Sequence, residues 1–151
     1  MASTDRHYAQ ALKIQEVLRT LTFTGFLDDD IQLIDDFDDK LPERGIYVQM
    51  IEEGQGVGVN EKNDVRYACR VVLVMPRVDM RDGMQPRSQF RAAIMTRFHR
   101  QRLGIDAPVA CEIVSSVRPD TMKIRPSWKR AGLDVSVMRI TSLIRESRYT
   151  A

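Results

Sequence analysis

Apolar positions recur along this chain with two periods, and the switches between them outline a fold. Ala11, Ile14, Leu18 and Leu21 return every three or four residues with Val17 beside them, while Lys13, Gln15, Glu16 and Arg19 lie opposite. That stripe predicts an amphipathic helix over 5–21, with Ser3, Thr4 and Asp5 offering N-cap oxygens. Thr20, Thr22 and Thr24 weaken it by β-branching, and Gly25 closes the transition. A second helix is predicted over 86–102. Phe90, Ile94 and Phe98 are spaced four apart with Ala93 and Met95 flanking them, Pro86 suits a first turn and Gly104 a stop.

Elsewhere the period is two. Ile46, Val48 and Met50 alternate with Tyr47, Gln49 and Ile51, a strand over 46–53. Val65, Tyr67, Cys69, Val71, Leu73 and Met75 alternate with Arg66, Ala68, Arg70, Val72 and Val74. The second set turns from polar to apolar, as in a strand that begins exposed and runs into the middle of a sheet. Val109, Cys111, Ile113 and Val117 alternate with Glu112, Ser116 and Arg118, and a Pro-bounded connection follows from Pro119 to Pro126. In the last strand Leu133, Val135 and Val137 face away from Asp134 and Ser136, until Met138, Ile140 and Ile144 make the second face apolar too. Burial of such a strand by a neighbouring subunit is the expectation.

The order is α-β-β-α-β-β, with room for one short strand between Thr22 and Ile34. Neighbouring strands usually pair, and antiparallel pairs predominate. The expected architecture is therefore an α+β fold, a mainly antiparallel four- or five-stranded sheet with two helices on one face. At 151 residues the chain is a single domain. Gly54, Gly56 and Gly58 make 54–63 a flexible hairpin arm, and Arg145 to Ala151 form a mobile tail.

Composition narrows the class. With 43% apolar and 29% charged residues the chain is neither disordered nor fibrous. Val71 to Met75, closed by Pro76, falls far short of the roughly 20 apolar residues of a membrane span. The N-terminus opens no apolar run of signal-peptide type. Cys69 and Cys111 allow neither a disulfide scaffold nor a CxxC knuckle, so a reducing intracellular setting is expected and Cys69 reads as a buried thiol.

Charge changes the picture more. The net +2 conceals a split at residue 64: the first part carries six basic and 14 of the 21 acidic side chains, the remainder 17 basic and seven acidic. Asp28, Asp29, Asp30, Asp35, Asp36, Asp38 and Asp39 crowd one segment, interleaved with Ile31, Leu33, Ile34 and Phe37 as in a short strand or packed loop with an acidic rim. Arg87, Arg91, Arg97, Arg100 and Arg102 occupy one side of the second helix, where no acidic residue occurs between Gly83 and Ile105, and Lys123, Arg125, Lys129 and Arg130 follow. Such a face wants an acidic partner or phosphate.

No arrangement of catalytic groups emerges. His7 and His99 are the only histidines and neither is set in a triad-like context. The aspartate run lacks the alternating oxygens, central Gly and closing Glu of a calcium loop, GQGVG lacks the GK[ST] ending of a phosphate loop, and Glu61-Lys62-Asn63-Asp64 lies in the glycine-rich turn. A non-enzymatic protein without cofactor or metal is expected. The alternative is a nucleic-acid-binding module using the Arg-rich face of helix two, with Trp128 either stacking on a base or plugging a core or interface.

The arrangement resembles the tail terminator and related head–tail joining (neck) proteins of tailed bacteriophages. The resemblance is carried by the order and spacing of a first helix over 8–21, the turn Leu41-Pro42-Glu43-Arg44-Gly45, strands over 46–51 and 66–75 joined by a long hairpin, a helix over 86–102, and strands over 109–117 and 131–141. It implies a structural virion protein assembled in the host cytoplasm, forming a homo-oligomeric ring, typically a hexamer. Such a ring caps the tail tube, docks tail tube protein and head-completion or connector protein, and passes DNA through its lumen without sequence-specific contact. On that reading the seven aspartates of one copy meet the helix-two face of Arg87, Arg91, Arg97, Arg100 and Arg102, or else Arg125, Lys129 and Arg130, of the next. Glu52, Glu53, Gly54, Gly56, Gly58 and Glu61 form an arm toward an adjacent ring or the lumen.

Overall fold

The computed structural model describes residues 6–21, 23, 26–34, 44–51, 62–76, 84–104, 111–122 and 126–147. In chain order they form α1 (Arg6–Thr20), a 3-10 turn (Asp28–Asp30), β1 (Ile31–Ile34), β2 (Gly45–Ile51), β3 (Lys62–Pro76), α2 (Met84–Phe98), β4 (Cys111–Asp120), α3 (Pro126–Arg130) and β5 (Leu133–Ser147). The five strands make one sheet ordered β1-β2-β3-β5-β4. β1 runs parallel to β2 and every other pairing is antiparallel, so the sheet is mixed but mainly antiparallel. The fold is α+β, as expected. The order departs from α-β-β-α-β-β in two places, since β1 fills the space left for a short strand and a third helix interrupts the last connection.

β3 takes the centre, and its alternation explains why. Cys69, Val71, Leu73 and Met75 point to one face of the sheet, where α1 contributes Ala11, Ile14 and Leu18 and α2 contributes Phe90, Ile94 and Phe98. α1 covers β1–β3, and α2 lies over β4 and β5. The two long helices thus share one face, as the stripes require. Burying each such side chain contributes about 1.5–3 kcal/mol, so the shared stripe dominates over helix propensity. Beneath α1 a polar set is satisfied: Gln10 Nε2 donates to the Tyr67 carbonyl and to Ser142 Oγ, both at 3.0 Å, and Cys69 Sγ donates to Gln10 Oε1 at 3.3 Å. Burial pushes the Cys69 thiol far above its usual range, in keeping with a structural cysteine.

The opposite face holds a smaller cluster of Tyr47, Val72, Val74, Val137 and Trp128. Trp128, on α3, is fully buried there. Part of the second face of β5 is therefore covered from within the chain, which corrects the expectation that a neighbouring subunit does so. Trp128 is a core plug.

β4 carries a further correction. A register shift between Val114 and Ser116 inserts Ser115, so Val114 and Val117 both reach the core while Ile113 is partly exposed. Glu112 becomes the buried neighbour, and its Oε1 accepts the backbone N–H of Gly104 at 2.6 Å. α2 stops at Phe98 rather than Gly104. Arg100 adopts a left-handed φ of 57°, donates its N–H to Val114 O, and Val114 N donates to Gln101 O at 2.8 Å. Residues 100–104 thereby strap the outer edge of β4. Met95, expected beside the core, is partly exposed.

Both ends of the long central strands exceed their predicted lengths. Lys62 pairs with Ser147 and Asn63 with Glu146, which takes 62–63 out of the expected arm and 145–147 out of the expected tail. Residues 54–61 and 148–151 lie outside the described residues.

Candidate functional site

The acidic segment begins at one edge of the sheet. Asp28–Asp30 form the 3-10 turn that leads into β1, the edge strand. Asp30 Oδ2 accepts the Leu27 N–H at 2.8 Å and so closes the turn. α1 clamps it in place: Arg19 donates to the carbonyls of Asp28 and Ile31 at 3.2 and 3.0 Å, and Gln15 to Ile31 O at 3.1 Å. Asp28 and Asp29 stay exposed, and neither is ion-paired to a described side chain. Between the first half of α1 and the β1–β2 pair lies an apolar groove of about 240 Å³ lined by Tyr8, Ala11, Leu33, Ile34, Val48 and Met50. Asp35, Asp36, Asp38 and Asp39 lie outside the described residues, as do Glu52, Glu53, Gly54, Gly56, Gly58, Glu61 and Arg125.

The basic set divides. Arg87 and Arg91 turn toward β5, where Arg87 Nη2 meets Asp134 Oδ2 at 3.3 Å and Arg91 Nε donates to Ser136 Oγ at 3.3 Å. Arg97, Arg100 and Arg102 are exposed at the C-terminal end of α2 and in the strap, against the β4 edge, and none is paired with a described carboxylate. Lys129 and Arg130, on α3, project from the other side of the sheet and are also exposed. The structure thus joins Arg97, Arg100 and Arg102 in one patch and separates them from Lys129 and Arg130.

The remaining acidic and basic patches sit at opposite margins. Four strand spacings of ~4.8 Å separate β1 from β4, about 19 Å. They cannot neutralise each other within one copy.

A second group of arginines escaped sequence reasoning. Arg66 and Arg70 on β3, Arg118 on β4 and Arg139 on β5 lie on the face that bears Trp128, beyond the apolar cluster. Asp120 Oδ2 accepts from Arg70 Nε at 3.0 Å and from Arg139 Nε at 3.1 Å. Burial would raise the Asp120 carboxyl. The Arg70 hydrogen bond, the Thr121 N–H and the charges of Arg139 and Arg70 outweigh it and hold the group below the usual aspartate range. The signal was present as the alternate residues of three strands, but only the pairing of β3 with β5 and β5 with β4 brings them together.

Among the described residues no group of three His, Cys, Asp or Glu could hold a metal ion, and no helix is long and apolar enough to cross a membrane. Compared with known proteins, the chain matches no family model and no curated protein.

Proposed function

We propose that this is a non-catalytic structural protein that assembles head-to-tail with copies of itself, in the manner of the phage tail terminators it resembles. One observation carries the reading: Asp28–Asp30 adjoin the β1 edge while Arg97, Arg100 and Arg102 adjoin the β4 edge, and neither patch forms an ion pair with a described side chain. A heterologous contact joins two different patches, and repetition closes a ring if the rotation allows. Charge complementarity sets the register and the encounter rate. The apolar groove between α1 and the β1–β2 edge offers the area that exposed ion pairs, worth at most about 1 kcal/mol each, do not. In this reading the ring, typically six-fold in the proteins it resembles, caps a tail tube beneath a head connector in the virion.

Native mass spectrometry and size exclusion across a salt series test it. Closed oligomers at low salt that dissociate as salt rises are expected. Asp28→Lys with Asp29→Lys weakens them, and Arg97→Glu with Arg100→Glu in the same chain restores them. A strict monomer at low salt and high concentration overturns the proposal.

A further inference from the structure

One row of the sheet crosses three strands with a single sign of charge. Arg70 on β3 stands directly opposite Arg139 on β5, and Arg139 directly opposite Arg118 on β4. At ~4.8 Å between strands, the three stems share about 10 Å. Like charges placed directly opposite destabilise a sheet. Asp120 offsets part of this by bridging Arg70 and Arg139 through one oxygen. Arg118, and Arg66 four residues before Arg70 on the same face, are exposed and have no described carboxylate partner. Small side chains floor the space between Arg66 and the row: Ala68 and Thr141 are buried and Ser116 is half-buried. A regular sheet that tolerates such repulsion breaks a local rule, and breaks of that kind concentrate at functional surfaces.

We propose that Arg66, Arg70, Arg118 and Arg139 form a contact surface for the phosphate backbone of duplex DNA. Guanidinium groups bind phosphate in a bidentate fashion, and Arg66 and Arg118 are exposed with no described carboxylate partner. Asp120 fixes Arg70 and Arg139 in advance, which lowers the ordering cost on binding. By strand parity the described residues of this part of the face include no aromatic ring. Without a described aromatic platform for unpaired bases, the fit is to the backbone of a duplex rather than to a single strand. The acidic turn lies at the far β1 edge, away from the row. The surface is distinct from the α2 patch and does not depend on head-to-tail assembly.

Fluorescence anisotropy with a labelled duplex of mixed sequence tests the proposal on the full chain. Four phosphate contacts correspond to a loss of about 150-fold in affinity between 50 and 200 mM salt, and the Arg66→Ala/Arg118→Ala variant, retaining two, to about 12-fold. Both positions are exposed, and circular dichroism checks that the variant folds. Arg97→Ala/Arg102→Ala is expected to leave the salt dependence unchanged. The proposal is overturned by absence of binding at 50 mM salt, by an unaltered salt dependence in Arg66→Ala/Arg118→Ala, or by transfer of the loss to the α2 variant. It is overturned equally if Arg66→Ala/Arg118→Ala abolishes self-association and spares DNA binding, which would assign the face to a second copy.

Discussion

Replacing Trp128 by alanine asks whether α3 closes a second core or awaits a neighbour. The indole has no exposed surface and packs against Tyr47, Val72, Val74 and Val137. A buried tryptophan removes roughly 200 Å² from water, about 5 kcal/mol at 25 cal/mol per Å². Partial collapse of the cavity brings the expected cost to about 3–5 kcal/mol. For a chain of this length that lowers Tm by roughly 6 to 20 °C. Trp128 is the single tryptophan, so the variant is followed by far-ultraviolet circular dichroism, while the parent's fluorescence independently reports an apolar indole. The measurement is made on dilute monomer. A loss under about 1 kcal/mol there, with a large loss only where copies associate, would refute the placement of Trp128 in the protomer's own core.

Three further outcomes follow from named contacts. Asp120→Ala leaves Arg70 and Arg139 facing each other, and denaturation at pH 7 should register a loss that grows at low salt. In the parent, the lowered Asp120 carboxyl means its contribution is complete above the unfolded value near ~3.9 and disappears as pH falls through the lower folded value, a loss absent from the variant. Gly45→Ala places a Cβ at 2.9 Å from the Asp30 carbonyl oxygen, so the 3-10 turn or β2 must shift, at about 1–3 kcal/mol by urea unfolding. Glu112→Ala strands the Gly104 N–H, and hydrogen exchange at residues 100–104 and Val114 should accelerate more than in the core strands.

Where burial follows a simple period, the sequence was readable. The stripe Ile14 and Leu18, the stripe Phe90, Ile94 and Phe98, and the alternation through β3 placed two helices on one face of a sheet with β3 inside it. β4 failed because one extra residue, Ser115, reverses the phase midway; Ile113 and Glu112 exchange their expected roles, and no local pattern announces a bulge. α3 failed because five residues between prolines and a glycine carry too few positions to show a period, although Trp128 itself was recognisable as a plug. The outer arginines of α2 were legible as exposed charge. The inward turn of Arg87 and Arg91 was not, since it depends on Asp134 and Ser136 arriving from a strand more than 40 residues away. The arginine row demanded pairing partners that alternation alone does not name.

β5 lies between β3 and β4 in the sheet, yet it is made after both. A nascent chain therefore carries two long strands with unsatisfied backbone flanks until the final described element emerges, and closure joins Lys62 to Ser147 across more than half the polypeptide. Such distant pairing is entropically slow. The interval before it is when this protein is most exposed to sticking to its siblings, and a cell making many copies at once has reason to shield them with a chaperone.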